Sequence, residues 1–141
     1  MPSSSSPSSK GAAPRLERLT PVLIVDSVEP CTAFWVDRFG FELSNQVPGP
    51  NGRLVFASVS RDNVEIMYQS RASVLEDGTV SAADLAGHSV ALFLHVASID
   101  DVERAVAGAP VVKARHQTFY GSTEIYVREP GGNTVGFAQF S

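Results

Sequence analysis

The sequence predicts an α+β fold of two βαβββ repeats whose mixed sheets curve around a cleft. Three observations carry this. Strand, capped helix and three further strands read off residues 18–69. The same order of elements reads off residues 88–141. The halves also superpose at one offset, Val25 onto Val96, Ser27 onto Ser98, Val28 onto Ile99 and Val64 onto Val135, each 71 residues apart. A repeat of this kind sets the architecture before any single residue does. Each unit covers one sheet face with its helix and leaves the other open, so two units can curl their open faces together into a cleft.

The elements follow in order. "LTPVLIV" (19–25) is β-branched and apolar, a strand. In "SVEPCTAFWVDRFG", Ser27 can cap a helix, Pro30 suits its first turn and Gly40 stops it. Phe34, Trp35 and Phe39 give that helix its apolar side, with Trp35 read as core. "FELSN", the "PGPNG" turn, "RLVFASV", the "RDN" turn and "VEIMYQ" complete the first unit. Residues 70–87 bridge the units, with "SAADLA" as a helical turn carrying a capping box from Ser81 to Asp84. The second unit reads "SVALFLHVA", the helix "SIDDVERAVAG" capped by Ser98, then "PVVKARHQT", "STEIYVR" and "NTVGFAQF".

The chain has 141 residues, 43% hydrophobic and 18% charged, which suits one domain with a real core at 18–141. Residues 1–17 are rich in Ser and Pro with no apolar run, and read as a disordered tail rather than a secretory signal. The net charge of −4 and the lack of a Lys/Arg cluster argue against nucleic acid. The longest apolar stretch, around Val90–Val96, is far short of the roughly 20 residues that span a bilayer. Cys31 is the only cysteine, so no intrachain disulfide or cysteine zinc site can form, which fits the cytoplasm. It has no activating base nearby in sequence. "VPGPNG" lacks both GxGxxG and phosphate-loop spacing, and no Ser–His–Asp signal stands out.

"PVLIVDSVEPCTAFWVDRFGFEL" and "YGSTEIYVREPGGNTVGFAQF" resemble the vicinal oxygen chelate superfamily, which groups glyoxalases, bleomycin-resistance proteins and extradiol dioxygenases. "AFWVDRFGF" and "VREPGGN" are its strongest pieces, and the pattern looks like the bleomycin-resistance-type branch. The resemblance implies paired βαβββ modules, a homodimer, and a metal or ligand in the cleft. The positions that hold the metal in such proteins carry Thr20, Ala91 and Gly136 here, with only Glu65 kept. A transition metal needs three or four N, O or S ligands, so the expectation is no metal and no cofactor.

Strand alternation predicts the cleft face. It gives Glu65, Met67 and Gln69 on the fourth strand; Ala91, Phe93 and His95 on the fifth; Glu124 and Tyr126 on the seventh; and Gly136, Ala138 and Phe140 on the last. One bulge would flip any of these. Glu65 in mid-strand is costly to bury unpaired. Its plain reading is an ion pair with an arginine such as Arg53 or Arg61; its functional reading is a ligand anchor or general base. His95 can bind ligand or shuttle protons, or be an ordinary hydrogen-bonded histidine. His88 and His95 fall on opposite faces, and His116, late in an outer strand, reads as solvated. Phe119, Tyr120 and Tyr126 are read either as a stacking rim or as ordinary packing.

The ligand-binding set is therefore Glu65, Met67, Gln69, Phe93, His95, Tyr120, Glu124, Tyr126 and Phe140. The function expected is metal-independent binding of a small apolar or aromatic molecule, which can be cationic. Sequestration of an antibiotic or natural product is the form the resemblance implies. The rival is a lyase, isomerase or dioxygenase using a weak metal or Glu65 and His95 as acid and base. No specific feature supports a third reading, a module that binds a protein partner.

Overall fold

Four apolar residues make β1 (Val22–Val25), and a turn at Asp26–Ser27 leads into α1 (Val28–Phe39). Ser27 sits at the N-cap with extended backbone, but its side chain makes no capping bond. Gly40 ends the helix in the left-handed region at φ 68°, donating to the Trp35 and Val36 carbonyls. Three strands follow: β2 (Glu42–Pro48), β3 (Leu54–Arg61) and β4 (Val64–Ser70). The bridge holds two helices, α2 (Arg71–Asp77) and α3 (Ala82–Leu85), where one turn was expected. The additional helix is α2, capped by Ser70 Oγ accepting from Ser73 N–H. The second unit repeats the first: β5 (Ala91–His95), α4 (Ile99–Ala105), β6 (Val111–Gln117), β7 (Ser122–Arg128) and β8 (Thr134–Phe140). Ser98 Oγ caps α4 as expected, accepting from Asp101 N–H. This computed structural model describes residues 13–15, 17–78, 81–86 and 90–141. His88, most of the Ser/Pro stretch and the Asp84 side chain, on which the capping box turns, lie outside what is described.

The strands form two four-stranded sheets, ordered β1-β4-β3-β2 and β5-β8-β7-β6. In each, the first strand runs parallel to the last and the other neighbours are antiparallel. At the 71-residue offset the two parallel pairs differ in register by two residues: Val22 stands opposite Met67, but Phe93 opposite Gly136 rather than Ala138. Irregular register is confined to the outer pairs β2/β3 and β6/β7.

Both sheets bury their helix-covered faces in one shared core. Leu23, Val25, Ile66 and Tyr68 enter it from the first sheet, and Ile125, Val127, Val135 and Phe137 from the second. The α1 aromatics join them: Phe39 stacks on Phe137 at 5.2 Å, and Trp35 lies 6.5 Å from the same ring. Trp35 Nε1 donates to Tyr68 Oη (2.9 Å), whose own proton goes to Glu129 Oε2 (2.8 Å). Glu129 Oε1 accepts from the backbone and side-chain N–H of Asn133 (2.7 and 3.1 Å), so this buried carboxylate joins the two modules. A Cβ on Gly131 would lie 2.5 Å from Val25 Cγ1 and 3.0 Å from Glu129 Oε1, which ties "EPGGN" to this close approach. Burial, with the Glu129 charge beside it, pushes the Cys31 thiol up to about 12, consistent with an unreactive core cysteine.

This arrangement corrects one expectation. The open faces do not close on each other within the chain: the hollows described on them are each lined by one module. The hollow lined by both modules lies instead beside α1 and the β7–β8 turn. The cause is the aromatic side of α1, which is buried by both sheets and brings their helix-covered faces together.

Candidate functional site

The second sheet's open face carries the densest polar and aromatic cluster. Alternation puts Phe93 and His95 of β5, Gly136, Ala138 and Phe140 of β8, and Ser122, Glu124 and Tyr126 of β7 on it, as the cross-strand partners show. The expected parity holds on β7 because Ile125 and Val127 belong to the core. Glu124 is 1% exposed, and Ser122 and Ala138 on the same face are buried too, while Phe93 and Phe140 stay exposed. A carboxylate there needs donors, and three hydroxyls supply them. Tyr120 and Ser122 donate to Oε2, both at 2.7 Å, and Tyr126 to Oε1 at 2.9 Å. Tyr120 reaches it because the β6–β7 turn closes between Thr118 N–H and the Ser122 carbonyl (2.9 Å).

His116 completes the cluster and corrects the solvated reading. The register shift between Lys113 and His116 sets His116 opposite Glu124. Its Nε2 lies 4.0 Å from Glu124 Oε1, and its ring stacks on Tyr126 at 6.2 Å between centroids. On the other side a run of aromatics covers the sheet. His95 stacks on Phe140 at 4.9 Å, Phe93 meets His95 edge-on at 5.5 Å, and Tyr120 bridges Phe140 and Phe119. On the His116 side lies a hollow of 550 Å³ lined by Val112, His116, Phe119, Tyr120, Glu124 and Tyr126, among others, and not by Phe93, His95 or Phe140.

Burial works against the charge of Glu124, but the Ser122, Tyr120 and Tyr126 hydroxyls and nearby His116 outweigh it, holding the carboxyl below its ordinary value. Burial and its bond to Glu124 push the Tyr126 phenol up to about 12. Tyr120 is raised too, chiefly by its bond to Glu124. At neutral pH the site is one carboxylate held by neutral phenols. A depressed carboxyl stabilises the fold above its unfolded value, and that stability is lost as pH falls through the folded value. The melting temperature is therefore expected to hold from neutral pH down to the ordinary carboxyl value of 4.5 and to fall below it. The fall should be shallower in Glu124→Gln. Some acid sensitivity remains, since Leu54 N–H likewise lowers Glu29. Thermal melts across that range check this; equal slopes in both proteins would show that Glu124 gains nothing from its donors.

The first sheet's open face is less built. Glu65 does pair with an arginine, but with Arg18 (3.5 Å), and it accepts from Thr20 Oγ1 (3.4 Å). Arg61 instead reaches the Phe39 carbonyl and Asp62, and Arg53 lies beside Glu29. Gln69 is held by Ser73 (3.1 Å) and Asp77 (2.9 Å) through α2. Met67 lies on this face opposite Val22 and Ser58. No hydrogen bond or ion pair among the described residues joins Glu65 to His95, which stand on different sheets. An acid–base pair of the two is not assembled within one chain.

The four metal-ligand positions do not make a metal centre. Thr20 and Glu65 come together, but Ala91 and Gly136 offer no side-chain donor. The space at Gly136 is also taken: a Cβ there would run into the Tyr126 ring, 2.8 Å from Cδ2 and 3.0 Å from Cζ. Among the described residues no three His, Cys, Asp or Glu side chains are grouped to hold an ion, and no helix is long and apolar enough to cross a membrane.

The sequence singled out Phe93, His95, Tyr120, Glu124, Tyr126 and Phe140, and the structure gathers these six on one face. It missed His116 and Ser122. The spacing of Tyr120 and Glu124 across a Gly-containing turn was a usable signal; nothing marked the irregularity in β6.

Comparison with known proteins agrees with this fold. The family model for the Glyoxalase/Bleomycin resistance protein/Dioxygenase superfamily matches residues 15–137. An uncharacterized protein of Mycobacterium bovis is 30% identical over 124 residues, 86% of this chain and 82% of the relative. TioX from Micromonospora sp. ML1 shares the fold with a TM-score of 0.72 at 20% identity, over 89% of this chain and 99% of that one. A lactoylglutathione lyase from Agrobacterium tumefaciens does so with a TM-score of 0.65 at 19% identity, over 89% and 95%.

Proposed function

We propose, for a chain that belongs to the Glyoxalase/Bleomycin resistance protein/Dioxygenase superfamily, metal-independent binding of a small planar aromatic or apolar molecule on the open face of the second sheet. The observation that carries this is the 550 Å³ hollow with aromatic walls and a buried, hydroxyl-held carboxylate at its base. Small-molecule sites combine apolar walls with a few fixed polar groups in this way. Ligand cations are compatible with Glu124 and with the aromatic faces. Sequestration of a drug or natural product inside the cell is the corresponding role. A homodimer belongs to the same reading: Phe93 and Phe140, 47% and 43% exposed, leave the face uncovered in one chain, and a second copy could supply the opposing wall from its first sheet.

One observation favours catalysis instead. His116 stands beside Glu124 and Tyr126, a grouping suited to metal-free proton transfer. That would replace Glu65 and His95 as the acid–base candidates.

Fragment screening by amide chemical-shift mapping tests the proposal. Hits are expected to move residues 116–126 and 136–140, with light scattering giving twice the 15.0 kDa chain mass. Hits that instead map to the hollow between α1 and the β7–β8 turn would contradict it. A bound hit consumed over time would favour the enzyme.

A further inference from the structure

The hydrogen bonds around Glu124 have a direction, and the direction selects ligands. An ionised carboxylate only accepts. The Tyr120 and Tyr126 hydroxyl protons are therefore committed to it, at 2.7 and 2.9 Å. What each phenol can still offer is an oxygen lone pair. His116 stands beside them, its Nδ1 2.8 Å from the Ala114 carbonyl and its Nε2 turned toward Glu124. The two phenols thus meet the hollow as acceptors. Lys113 and Gln117 bring donors to the lining, but both are exposed on the outer strand β6 and donate from the rim.

We propose that Glu124 sets the hydrogen-bond polarity of the hollow, so that it takes aromatic ligands bearing donors, such as phenolic hydroxyls, aryl amines or protonated nitrogen, and rejects those that only accept. This rests on the hollow being the ligand site. Glu124 acts here as a positioning residue: it does not need to touch the ligand, because it orients the phenols that do. The discrimination arises because an acceptor-only ring would leave these lone pairs facing its own without any proton between them.

The test uses the full chain and two flat probes of equal ring size, dihydroxynaphthalene and naphthyridine, with binding located by chemical-shift mapping. The dihydroxy compound is expected to bind at residues 116–126 about tenfold or more tightly, the scale of one well-made against one unmade hydrogen bond. Glu124→Gln gives the phenols a partner that both donates and accepts, and should shrink that preference. Wild type alone decides if the variant fails to fold. Equal affinities at the hollow would overturn the polarity and leave the site standing. If neither probe maps to the hollow, the site itself is wrong and the polarity falls with it.

Discussion

Glu129→Ala is expected to be among the most destabilising single changes in this chain. The carboxylate is 2% exposed and accepts from Tyr68 in the first module and twice from Asn133 in the second. Truncation leaves the buried Tyr68 hydroxyl and the half-buried Asn133 backbone N–H without an acceptor. Each orphaned donor costs about 1–3 kcal/mol, so the loss from the two is about 2–6 kcal/mol. That is a large share of the roughly 5–15 kcal/mol that holds a domain together. Burial, with Glu129 beside it, pushes the Tyr68 phenol upward, so Tyr68 stays a donor. Urea unfolding measures the effect, with Glu129→Gln as the milder control because its amide oxygen still accepts. An unchanged midpoint in Glu129→Ala would show that the modules are joined by apolar packing alone.

Gly136→Glu is expected to be as severe. It restores the carboxylate that metal-using proteins of this kind are expected to carry on the last strand. Here the Tyr126 ring occupies that space. The ring would have to leave, breaking its bond to Glu124, and a second carboxylate would arrive beside the first. Overpacking, a lost charged hydrogen bond and like-charge repulsion together come to about 3 kcal/mol or more. The variant should melt well below wild type and gain no metal. Thermal melting with elemental analysis checks both. A stable Gly136→Glu protein holding about one zinc or nickel per chain would show that Tyr126 is a movable lid on a latent metal site.

Much of this was legible in the residues because one sheet face is covered by a helix. Where Ile125 and Val127 must go inward, Glu124 and Tyr126 must go outward. The same alternation placed Phe93, His95 and Phe140 correctly. Three things were not legible, each for a physical reason. His116 turns toward Glu124 only because β6 is irregular, and bulges carry no reliable sequence mark. The α2 helix depends on the Ser70 cap inside a stretch that otherwise reads as linker. The meeting of the two helix-covered faces depends on how Phe39 and Trp35 divide themselves between sheets. Periodicity shows which face is apolar, not which other face will cover it.

Metal-free binding at the Glu124 hollow is tested most directly by one calorimetric titration, dihydroxynaphthalene into the full chain before and after dialysis against EDTA. The predicted result is the same affinity and enthalpy in both, with no change when zinc or nickel is added back. Affinity lost on chelation and restored by a divalent ion would contradict it and place the ligand on a metal.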